Sequence, residues 1–103
     1  MSVNRPALGA LLLFLLLPTT VRSQENDADF DTSVSCPAYA QGVGPRLLVD
    51  EAHKNLHKIS GRYASFAAVA ERDGFRVEPS TAGFSAGPPP EGTILVIANA
   101  RGA

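Results

Sequence analysis

The run Thr93-Ile94-Leu95-Val96-Ile97-Ala98, closed by Asn99, constrains the fold more than any other stretch of the chain. A strand with one solvated face alternates apolar and polar residues, and this run does not alternate. It is the clearest strand in the chain. A shorter apolar run, Leu47-Leu48-Val49, follows Arg46 and breaks abruptly into Asp50-Glu51-Ala52-His53, which suits a strand buried on both faces, as in parallel sheets. Parallel neighbours cannot be joined by a tight turn and need a crossover, so a helix is expected between strands.

The residues between the two runs supply one. Tyr63, Phe66, Ala67, Val69 and Ala70 recur at helical spacing, while Arg62, Ser65, Glu71 and Arg72 fall largely on the other side. Ser60 is the expected N-cap, and Asp73-Gly74 the expected stop, with Gly74 taking the left-handed conformation of a helix end. Phe75-Arg76-Val77-Glu78 then alternates as a strand, ended by Pro79. A proline- and glycine-rich crossover, residues 80–92, leads to the last strand. Strand, helix, strand, irregular crossover, strand is the opening of a doubly wound α/β domain. One helix covers only part of one face, so the domain is expected to be incomplete, a piece of a longer reading frame.

Residues 1–23 read as a cleavable secretory signal peptide. Arg5 and no acid precede an apolar run from Ala7 to Leu17, closed by Pro18. That run is shorter than the roughly 20 apolar residues of a membrane span. Thr19-Thr20-Val21-Arg22-Ser23 suits cleavage after Ser23. The chain is thus expected in the periplasm or outside the cell, with no membrane span after cleavage. Residues 24–45 read as a flexible acidic leader followed by an extended arm, and residues 46–103 as the partial α/β domain.

Losing Arg5 and Arg22 with the signal leaves seven basic residues against ten acids. Nothing basic enough remains to engage nucleic acid. Cys36 is the one cysteine, which excludes an internal disulfide. It lies too far beyond the apolar run for a lipid anchor, which needs the cysteine at the cleavage site.

The densest polar cluster is Asp50, Glu51, His53, Asn55 and His57, directly after the first strand. In open α/β sheets the carboxyl ends of the strands are the ligand edge. With the strands in the order two-one-three, Asn99 reaches the same edge. These six residues are the candidate ligand-binding site. The letters Asp50-Glu51-Ala52-His53 match the DEAH box of helicases, but no phosphate loop precedes them and an exported helicase has no ATP. His53 and His57, with Asp50 and Glu51 as oxygen donors, make a weaker metal candidate, because Lys54 stands where HExxH would have glutamate. The plainer alternative has Asp50 and His53 bonding to loop backbone and His57 facing solvent. No nucleophile elbow surrounds Cys36 or Ser60, so no catalytic set is complete and no cofactor is expected, a divalent metal being the lesser alternative. The expected partner is an unidentified small molecule or an envelope protein, and the rival function is a metal- or carboxylate-dependent envelope hydrolase. A bluntly non-functional truncation is the third reading.

Taken together, Pro37-Ala38-Tyr39, Gly44-Pro45, Leu48 to His53, Asn55, His57, Gly61-Arg62-Tyr63, Phe66, Asp73-Gly74-Phe75, Val77 and Ile94 to Ala100 resemble an uncharacterised exported bacterial family. Its members read DEAHxNxH…GRYxxF…DGYxV…LVIANA. The resemblance covers about Pro37 to Arg101 and implies a flavodoxin-like domain similar to class I glutamine amidotransferases. It implies no activity. The cysteine nucleophile of true amidotransferases belongs to a later strand-to-helix turn that has no counterpart up to Ala103. The chain departs from the family pattern at Ser85-Ala86-Gly87-Pro88-Pro89-Pro90, where a short helix is usual.

Overall fold

The computed structural model describes residues 25–102. The signal peptide expected over residues 1–23 lies outside them. Three strands form one parallel sheet in the order β2-β1-β3, with β1 at Arg46–Asp50, β2 at Arg76–Ser80 and β3 at Ile94–Val96. Among the described residues one α-helix, α1 (Ala64–Arg72), is present, and it connects β1 to β2. The small three-stranded parallel α/β unit expected from the two apolar runs is present, and the order two-one-three is the one that brings Asn99 to the edge of Asp50.

β1 is central, and its apolar run is covered on both sides. Leu47, Leu48 and Val49 are buried, Val49 completely, and a fully buried Val is worth about 1.5–3 kcal/mol. Leu47 and Val49 face α1, where they cluster with Ala70, and Ile59, Tyr63, Phe75, Val77 and Val96 pack around them. The small side chains of Ala67 and Ala70 let the helix approach the sheet closely. Leu48 faces the other way and meets Leu95 under the crossover, where a short 3-10 turn at Phe84–Ala86 takes the place of a second helix.

Three boundaries differ from expectation. Pro79 does not end β2 but lies inside it, paired with Val49. Arg76 N–H donates to Pro45 O and Ser80 O accepts from Glu51 N–H, so residues 76, 78 and 80 bond to β1. Pro79 then faces the open edge, where no donor is needed. Ser60 is not the helix cap; it sits in a turn that ends at Tyr63, whose side chain caps nothing. Asn26 fills that role from the leader: its Oδ1 accepts from the Ser65 N–H (2.9 Å) and the Ser65 hydroxyl (2.7 Å). β3 is shorter than the apolar run, because its ladder with β1 stops at Val49–Val96 and the chain then turns toward the loop after β1.

The helix stop is as expected. Gly74 has φ +98°, its N–H donates to Glu71 O, and Phe75 N–H donates to Ala70 O. That double closure is a Schellman motif. The arm docks on it: Tyr39 N–H bonds Asp73 O, Ala38 N–H bonds the Asp73 carboxylate (2.7 Å), and the Tyr39 ring meets Phe75 edge-on at 5.4 Å. Among the described residues no helix is long and apolar enough to cross a membrane.

Candidate functional site

β1 ends with Asp50 pointing to the crossover side of the sheet, and the next seven residues fold back around its carboxylate. Asp50 is completely buried. It accepts from Ala52 N–H (3.2 Å), from Asn55 Nδ2 (3.1 Å) and from His53 Nδ1, which lies 2.9 and 2.8 Å from its two oxygens. Burial pushes this carboxyl up, but the bonds from His53, Ala52 and Asn55, and the charge His53 carries when protonated, outweigh it. The result is a carboxyl held below the ordinary 3.8 and therefore ionised.

Asn55 is the second hub, and it too is buried. Its Oδ1 accepts from His53 N–H (2.9 Å), and its Nδ2 also donates to Ala98 O (3.0 Å), just beyond β3. Leu56 N–H reaches Asn99 O (3.4 Å), and Arg101 N–H donates to His53 O (2.9 Å). Asn99 has φ +48°, a left-handed turn that asparagine tolerates better than most residues. It carries the chain back across the loop. The loop after β1 and the segment after β3 are thus one hydrogen-bonded unit, although more than forty residues separate Asn55 from Ala98.

The six candidate residues take different positions in this unit. Asp50, His53 and Asn55 come together as a network. Glu51 turns aside, its Oε2 accepting from Ile59 N–H (3.2 Å). His57, expected to face solvent in the plainer reading, is instead buried, packed against Tyr63 with ring centroids 4.8 Å apart and planes tilted by 51°. Its burial follows from the approach of the loop to the start of α1, which the four-residue spacing to His53 does not reveal. Asn99 contributes its carbonyl and leaves its side chain exposed. Among the described residues no three His, Cys, Asp or Glu side chains gather in a way that could hold a metal ion.

His53 is what the network presents. Nδ1 carries the proton that the Asp50 carboxylate accepts, so Nε2 is an acceptor whenever the imidazole is neutral. Nε2 makes no hydrogen bond among the described residues, and the side chain keeps 19% of its surface. The ring is held on its face by Phe84, 4.4 Å away at 33°. Phe84 also borders a cavity of about 200 Å³ between the sheet and the crossover, lined by Leu48, Ser80, Leu95 and Pro89 among others. Sequence reasoning missed Phe84 and Arg101. Both lie in stretches without periodicity, and only the β2-β1-β3 order brings them to His53.

Comparison with known proteins adds no relative: no family model matches the chain, and no match is found among curated proteins or among solved structures.

Proposed function

We propose that the protein is an exported, flavodoxin-like α/β domain that binds a small polar molecule at the carboxyl edge of its sheet, with His53 as the contacting side chain. The observation that carries this reading is the Asp50–His53 pair: a buried, ionised carboxylate fixes the tautomer and the orientation of an imidazole whose outer nitrogen is left without a protein partner. A purely structural network has no need of that last feature. Export rests on the composition of residues 1–23, and the flavodoxin-like assignment rests on the parallel β2-β1-β3 order together with the resemblance of Pro37 to Arg101 to the exported family.

Amide and imidazole shifts of isotope-labelled protein, followed during titration with a panel of small acids, amides, polyols and phosphates, test the reading. The expected perturbations gather at residues 50–57 and 98–101. Perturbations confined to the groove between Phe30 and Phe66 would move the site to the leader side and overturn it.

The same pair favours a hydrolytic second reading, because a general base also needs an imidazole oriented through Nδ1 by a buried carboxylate. Here the carboxylate-dependent envelope hydrolase would use His53 Nε2 to take a proton from water. Hydrolysis of p-nitrophenyl acetate by the protein, lost in His53→Gln, would raise this reading above simple binding.

A further inference from the structure

We propose that the edge at His53 takes a small organic anion that also carries a hydroxyl, with the O–H donated to His53 Nε2 and the acid group held by the Arg101 guanidinium. The inference rests on the binding reading above and deepens it to a ligand class.

Two observations combine. The first is the polarity of His53: a neutral imidazole whose Nδ1–H is donated to Asp50 offers an acceptor at Nε2, so a ligand of the neutral ring must bring a donor. The second is the position of Arg101. Its backbone N–H is bonded to His53 O (2.9 Å) and its Nε to Lys54 O (3.3 Å), which anchors the stem of the side chain beside His53. Only Nε is engaged; the two terminal nitrogens make no hydrogen bond or ion pair among the described residues. A guanidinium with its outer fork open is suited to bidentate capture of a carboxylate or phosphate.

The surrounding charges leave that fork without a protein anion. Asp50 is buried and already accepts from three residues. Glu51 is turned away to Ile59 N–H. Lys54, held at φ +52° in the same turn, is exposed and adds a second cation to the edge. The acids of the leader form local turns of their own, Asp27 to Asp29 N–H and Asp31 to Ser33 N–H. The chain carries a net negative charge as a whole, yet its carboxyl edge presents Lys54 and Arg101 beside His53 Nε2. A neutral polyol would satisfy His53 and ignore the cations; a plain carboxylate would do the reverse. A hydroxy acid or a hydroxyl-bearing phosphate satisfies both.

Glycolate, malate, glycerol, acetate and inorganic phosphate separate these cases when each is titrated into labelled protein. Malate and glycolate are expected to shift the His53 ring and the Arg101 Nε resonance and to bind about ten-fold or more tighter than glycerol or acetate, the worth of one charge-assisted hydrogen bond. Inorganic phosphate, with both an O–H and a charge, is expected to compete with malate. Arg101→Gln, an exposed position whose loss leaves the Asp50–Asn55 network intact, is expected to reduce malate binding at least ten-fold while leaving weak glycerol binding unchanged. Equal binding of glycerol and malate, or wild-type malate binding by Arg101→Gln, overturns the anion assignment and leaves the binding reading standing. No shift at residues 50–57 or 98–101 with any probe removes both.

Discussion

Replacing Asp50 with alanine removes the acceptor for two partly buried donors, the His53 Nδ1–H and the Ala52 N–H, while Asn55 keeps its bond to Ala98 O. Each orphaned donor costs about 1–3 kcal/mol, so Asp50→Ala is expected to lose about 3 kcal/mol in urea unfolding, a large share of the stability of a small domain. The carboxyl is also a source of pH dependence. Its folded value lies below the unfolded 3.8, so its contribution is present in full above pH 3.8 and is lost as pH falls through the lower folded value. Asp50→Asn removes that component, and its stability is expected to fall less steeply than that of the wild type as pH drops below 3.8. An unchanged acid limb would show that Asp50 is not the linked group.

Gly74 is where α1, the arm and β2 meet, and two independent demands fall on it. Its φ of +98° is left-handed, and a Cβ at that position would overlap the Tyr39 carbonyl. Gly44 is caught in the same contact: its N–H donates to Gly74 O (2.8 Å), and a side chain there would meet Gly74 O at 2.7 Å. Gly74→Ala is expected to cost about 1–2 kcal/mol for the conformation alone, and more for displacing the arm. The Tyr39–Phe75 edge contact should be lost with it, visible as a reduced near-ultraviolet tyrosine signal. Gly42→Ala is the control, because Gly42 also has positive φ (+70°) but open space around it. If the two variants lose the same stability, the close packing of the arm is not what constrains Gly74. The start of α1 depends on a distant partner as well, since Asn26 supplies the acceptor that the residues preceding the helix do not.

At the scale of the whole molecule the sheet is asymmetric. α1 covers Leu47, Val49 and Val77 but leaves Ile94 of β3 42% exposed, and Ile97, just beyond the strand, is 53% exposed. β2 and β3 are both edges. β2 has Pro79 on its outer side, a residue that cannot donate to an added strand, whereas β3 has no such guard. Self-association through the β3 edge is the expected consequence. Ile97→Lys is expected to leave the unfolding free energy within about 0.5 kcal/mol and to delay the concentration-dependent rise in light scattering. Scattering that is unaffected by this change would place the sticky surface elsewhere, for instance at Phe66, which is 42% exposed beside the leader.

Read without coordinates, the chain determined its strands, its helix and the parallel sense of its sheet, because each follows from local rules. The unbroken apolar run at 47–49 demands cover on two faces and has it, whereas the run at 94–97 makes a strand but leaves Ile94 and Ile97 exposed. Helical spacing from Tyr63 to Ala70 demands one apolar face, and Gly74 ends a helix by conformation alone. The location of the polar cluster at the carboxyl edge followed from strand direction in the same way. What each polar residue does there was decided only by tertiary structure. Asp50 and Asn55 as buried hubs, Glu51 turned aside, His57 packed against Tyr63, and Arg101 beside His53 all depend on how the loop folds back on β1 and α1 and on its bonds to the segment after β3. Spacing along the chain carries no information about which of several neighbouring polar groups burial will engage. The pairing of the segment after β1 with the segment after β3 made that choice, leaving His53 facing outward.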